Sequence, residues 1–133
     1  MGAWGTRFFE NDDASDWVYD LAPSGELAPV ADALAAVDVD YLESPEGAVA
    51  LCAAAAVAVS QGLPVAELPD SLTAWKVQVD VTAAKALVPD AIAAIERVLA
   101  NGSELKELWQ ENEEDYPAWE KEAASLRDQL RTL

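Results

Sequence analysis

Between Ala48 and Val59 the chain reads AVALCAAAAVAV, an uncharged run in which almost every side chain is small or aliphatic. A helix that is apolar all round has to be surrounded by protein or by lipid. Crossing a bilayer takes about 20 apolar residues; this run is shorter and is closed by Ser60-Gln61-Gly62. Pro45–Gln61 is therefore expected to be a central helix wrapped by the rest of the chain. Its alanines let neighbouring helices come close, while Val49, Leu51, Val57 and Val59 supply bulk.

The remainder reads as the wrapping. Apolar residues recur at helical spacing at Ala14, Trp17, Val18 and Leu21, after three consecutive cap candidates, Asn11, Asp12 and Asp13. A second helix is expected from Pro29 to about Val37, with Val30, Leu34 and Val37 as its stripe. Ser44 is the expected cap of the central helix and Gly62 its C-terminal residue. A short helix follows from Asp70 or Ser71, carrying Leu72, Trp75 and Val79. Thr82 is the expected cap of the next, whose stripe of Ala84, Leu87, Val88, Ala91, Ile92, Ile95 and Leu99 crosses Pro89. Interior proline costs a helix about 3 kcal/mol, so this segment is either one kinked helix over 82–100 or two abutting ones. Ser103 caps a helix with Leu105, Leu108 and Trp109. Pro117 opens the last, with Trp119, Ala123, Leu126, Leu130 and Leu133 in spacing.

Alanine is the strongest helix former, and alternating β-branched runs are missing. With 133 residues, the expectation is all-α: a single domain over 1–133, a bundle of about six to seven helices around 45–61.

Charge narrows the partners. Eight basic residues stand against 25 acidic ones, a net charge of −17. Nucleic acid and anionic membrane surfaces both call for Lys/Arg patches, so neither is expected as a partner. From Arg7 to Lys76 there is no basic residue at all, while 13 acidic ones fall between, from Glu10 to Asp70. A cationic partner would be attracted and steered by such a surface. Carboxylates also keep a protein in solution without any partner, and composition does not separate the two. The N-terminus shows no basic region followed by an apolar run, so no secretory signal is read and a cytoplasmic location is the expectation.

The available chemistry is narrow. There is no histidine, which removes the commonest general base and metal ligand. Neither G-x-G-x-x-G nor G-x-x-x-x-G-K-S/T occurs. Cys52 is the only cysteine, and in the apolar helix it is expected to be a buried, inert thiol. Asp12, Asp16 and Asp20 share a helix face, and Asp38, Asp40 and Glu43 share a loop, but no window meets the twelve-residue EF-hand pattern. No enzyme, no cofactor and no resident metal are expected.

One motif stands apart. Met1-Gly2-Ala3-Trp4-Gly5, then Phe8 or Phe9, Asn11-Asp12-Asp13-Ala14 and Asp16-Trp17, together with the later Ser103–Trp109 string SELKELW, resembles the bacterial DUF4259 family, a domain of unknown function. That family opens with M-G-x-W-G-x-x-x-F-x-N-D-x-A-x-D-W/F. Arg7 departs from it, standing where a glycine is expected. The resemblance covers nearly the whole chain and carries no activity with it. Physically the string reads as a plug, Trp4 and a phenylalanine packing beneath the first helix while Asn11 or Asp12 caps it. As a recognition surface it would use Trp4, Gly5, Phe8, Asn11, Asp12, Asp16 and Trp17. Two functions are expected to compete: a non-enzymatic interaction module of inhibitor or immunity type that meets a basic protein, and a binder of a small molecule or divalent metal at this motif.

Overall fold

A computed structural model of the chain describes residues 8, 11–21, 24–65 and 68–133. Among them lie eight helices and no strand: α1 (Asp12–Asp20), α2 (Ala28–Ala35), α3 (Ser44–Ser60), α4 (Asp70–Gln78), α5 (Val81–Lys85), α6 (Val88–Leu99), α7 (Glu104–Gln110) and α8 (Tyr116–Leu130). The protein is an all-α domain built around α3.

Of the residues in α3, only Ser44, Pro45, Glu46 and Val49 escape burial. The helix packs against every other helix, most extensively against α6 and α2. Its run of alanines is what makes this possible, because a narrow cylinder can be approached closely on all sides. The partners bring the bulk. α6 buries Val88, Ala91, Ala94, Ile95 and Val98, and α8 buries Trp119, Ala123, Leu126 and Leu130. Trp109 stacks on Trp119 at a centroid distance of 6.0 Å. Trp75 is fully buried, and its indole N–H donates to the Glu26 carbonyl at 2.9 Å, which satisfies the polar end of a large apolar side chain.

The helix ends show where local sequence was enough and where it was not. α3 stops at Gly62 (φ +84), with Leu63 N–H donating to Ala58 O and Gly62 N–H to Val59 O, the Schellman arrangement that glycine permits. Its beginning differs from expectation. Ser44 does not cap; Glu43 holds the cap position without using its side chain, and the Ser44 N–H is met by Glu104 Oε1 of α7 at 2.8 Å. A carboxylate from a distant helix thus does the capping. Thr82 is likewise displaced as a cap by Asp80, whose carboxylate accepts from Thr82 N and Ala83 N. α2 spans Ala28–Ala35 rather than starting at Pro29 and reaching Val37, although Val37 is still buried.

The segment across Pro89 is two helices, which raises the count above the expected six to seven. Proline sits in the first turn of α6, where its missing N–H costs nothing, and Ala86 and Leu87 bridge from α5 with tighter bonds to Ala83 O and Ala84 O. Leu133 leaves the expected stripe: α8 ends at Leu130 and Leu133 is 44 % exposed.

The α2–α3 and α6–α7 connectors are stitched together. Leu42 N–H donates to Gly102 O and Glu104 N–H to Leu42 O, both at 2.8 Å. Arg97 spreads its guanidinium over the carbonyls of Val39, Asp40, Asn101 and Gly102 at 3.0–3.2 Å. Arg97, which reaches the acidic connector, is therefore engaged by backbone oxygens.

Candidate functional site

Phe8, Asn11 and Cys52 form the inner part of the N-terminal motif. Asn11 is the cap of α1, with its Oδ1 accepting from Ala14 N at 2.8 Å and its Nδ2 donating to Phe8 O at 3.1 Å. The same Phe8 carbonyl accepts from the Cys52 thiol at 3.1 Å. Phe8 is 7 % exposed. Burial pushes the Cys52 thiol far above its ordinary range, leaving it without the thiolate that reactivity requires. Of the expected plug, the described residues show a buried Phe8 and Asn11 as the cap. Trp4 and Gly5, and the turn expected at Gly5, lie outside the described residues.

The Asn11 amide is engaged at both ends, so its removal has a readable cost. Asn11→Ala is expected to lower stability by about 1 kcal/mol through the lost cap, seen as a lower thermal midpoint. Asn11→Asp, which keeps the acceptor, should lose less.

The outer part of the motif is dispersed. Trp17 is half-buried and packs on the core, whereas Asp12 and Asp16 are exposed. Phe8 borders a cavity of about 390 Å³ between Pro64-Val65 and α8. Asp16 instead borders a separate groove between α1, α2 and α3. The structure does not assemble Phe8, Asn11, Asp12, Asp16 and Trp17 into one site.

That groove carries residues not singled out in the sequence. Its first recess, about 220 Å³, has Ala33, Ala36, Pro45 and Val49 as an apolar lining and Asp13, Asp16 and Glu46 as its acidic members. A second recess, about 230 Å³, shares Ala36 and Glu46 and continues over Val39, Tyr41, Leu42 and Glu43. Val39 and Tyr41 are 50 % and 47 % exposed, large apolar surfaces left beside carboxylates. The Tyr41 hydroxyl donates to Glu107 Oε1 at 3.2 Å. Desolvation first, and then this carboxylate, hold the phenol above its ordinary titration range. Asp13 and Asp16 stand at i and i+3 on α1 and Glu46 in the first turn of α3, but only the packing of α1 and α2 on α3 brings them to one groove.

The ion pairs between described residues are Arg127–Asp128, Arg131–Glu96 and Arg131–Asp128, on α6, on α8 and on its C-cap Arg131. None reaches the groove. Among the described residues no group of three or more Asp, Glu or Cys side chains is placed to hold a metal ion, and no helix is long and apolar enough to cross a membrane.

Residues 2–122 match the family model of the Domain of unknown function (DUF4259). No curated protein and no solved structure matches the chain. The chain belongs to the DUF4259 family.

Proposed function

We propose that this DUF4259 member is a non-enzymatic interaction module whose acidic face engages a basic protein, in the manner of an inhibitor or immunity protein. The observation that carries the reading is the separation of charge. Between Arg7 and Lys76 there is no cation in sequence, and the ion pairs between described residues lie on α6, on α8 and on Arg131, the C-cap of α8. Arg97, the cation that does reach the acidic connector, is taken up by four carbonyls. Among the described residues, no ion pair takes up the carboxylates of the first half, a surface that speeds encounter with a positive partner.

The competing reading, a small-molecule or divalent-metal site at the N-terminal motif, has less behind it. Asn11 is consumed by capping, and Asp12 and Asp16 are exposed and do not converge with Phe8 on one cavity.

The test is capture of partners by the tagged protein at low and at high salt. A partner retained at about 50 mM salt and released well above physiological ionic strength is expected, because screening shortens the Debye length to about 3 Å at 1 M. Recovery of no salt-sensitive partner would sink the reading.

A further inference from the structure

We infer that the groove between α1, α2 and α3 is the docking surface, and that its occupant is a basic amphipathic helix of the partner. This rests on the reading that the partner is a basic protein and adds where and in what form it binds. The two recesses, about 220 and 230 Å³, are each smaller than the roughly 300–1,000 Å³ usual for small-molecule pockets. They share Ala36 and Glu46, so they form a row rather than two isolated dimples. A row of shallow apolar recesses suits successive side chains of one extended element, the way an amphipathic helix lays spaced anchors into a groove.

The chemistry of the edges selects the sign of that helix. Asp13, Asp16, Glu43 and Glu46 flank a lining of Ala33, Ala36, Val39 and Val49, and none of these carboxylates has an internal cation among the described residues. An acidic helix would be repelled, and an uncharged one would forgo the attraction of these carboxylates. Charge complementarity therefore points to Lys or Arg flanking an apolar stripe. Leu and Lys side chains fit this division of labour, the apolar anchor in the recess and the ammonium at the edge.

Ala36 gives the sharpest test because it borders both recesses, is exposed, and is the C-cap of α2, where a cation is compatible with the helix dipole. Ala36→Lys places bulk and positive charge at the junction without touching the core. Ala74→Lys, on the exposed side of α4, adds the same charge elsewhere. The probes are two synthetic peptides of equal length and charge, one an amphipathic Lys/Leu helix and one a Lys/Ser peptide without an apolar face. Binding is followed by titration with amide chemical-shift mapping, and the variants are first checked by circular dichroism.

The Lys/Leu peptide is expected to bind saturably, to move the amide signals around Asp16, Ala36 and Glu46, and to outbind the Lys/Ser peptide by about tenfold or more. Ala36→Lys should weaken it by a similar factor, and Ala74→Lys by less than about twofold. Equal weakening by the two variants, or shifts centred away from the groove, overturns the groove assignment while leaving the basic-partner reading in place. No salt-sensitive binding of either peptide overturns both.

Discussion

Ala54→Asp and Ala55→Asp are each expected to abolish folding. Both alanines are fully inaccessible in the middle of α3, the helix that every other helix packs against. A carboxylate there would have no partner, and neutralising it still leaves a buried polar group that costs roughly 2–7 kcal/mol without a hydrogen bond. The added volume enters a site where neighbours approach because the side chain is only a methyl, and overpacking of this kind costs about 1–3 kcal/mol more. Domains of this size have about 5–15 kcal/mol in total, and a combined cost of about 3–10 kcal/mol is enough to exhaust a typical margin. Far-UV circular dichroism and size-exclusion chromatography give the answer. Ala74→Asp on the exposed side of α4 is the control, expected to cost no more than about 0.7 kcal/mol in helix propensity. Soluble, fully helical Ala54→Asp and Ala55→Asp proteins would show that α3 is not the element the fold depends on.

The second large effect is expected at Gly25. Its φ is +82, and a Cβ built there would lie 2.5 Å from the Gln78 carbonyl carbon and 2.6 Å from the Val79 nitrogen. The backbone approach that forbids a side chain is the one that seats the turn before α2 on the end of α4. There the next residue's carbonyl, Glu26 O, accepts from the buried Trp75 indole. Gly25→Ala combines about 1–2 kcal/mol for the left-handed backbone with a clash against main chain that cannot rotate away. A loss of about 3 kcal/mol or more follows. Gly62 is the internal standard: its φ is +84, yet nothing lies within 4 Å of a built Cβ. Gly62→Ala should therefore show the backbone cost alone, about 1–2 kcal/mol. Denaturant melts of the two variants measure the difference. Equal losses would mean that the Gly25 contact yields readily, and that only the torsion matters.

These two sites mark how far the sequence could be read. The apolar run of α3 announced its own burial, and a stripe such as Val88, Ala91, Ile95 and Val98 shows which side of α6 faces inward, because periodicity of 3.6 is written in consecutive residues. A cap for α1 among Asn11, Asp12 and Asp13, and Gly62 as the stop of α3, were equally open to view, since capping is a matter of one side chain and the next turn; the structure chose Asn11. Ser44 and Thr82 were plausible by the same logic and were displaced, one by Glu104 from 60 residues away and the other by Asp80. A serine or threonine offers a cap, but whichever oxygen has the better position takes the N–H. The break before α6 belongs to the same group: Pro89 signalled an interruption, and only the packed structure chose two helices over a kinked one.

The N-terminal motif divides along the same line. Phe8 and Asn11 act within a few residues of each other, and the sequence was sufficient to expect a cap among Asn11, Asp12 and Asp13 and a buried phenylalanine beside it. Asp16 meets Ala36 and Glu46 across three helices, and nothing in the spacing of those residues along the chain connects them. The helical class, the central helix, the cores of most elements, the family and the uneven charge along the chain could all be read from the residues in order. All of these are local patterns or sums over residues. Which carboxylates share a groove, which cation is spent on carbonyls, and which glycine touches another backbone emerged with the packing. Those depend on the angles and distances at which helices pack, and such distances arise only when α1, α2, α4 and α6 close around α3.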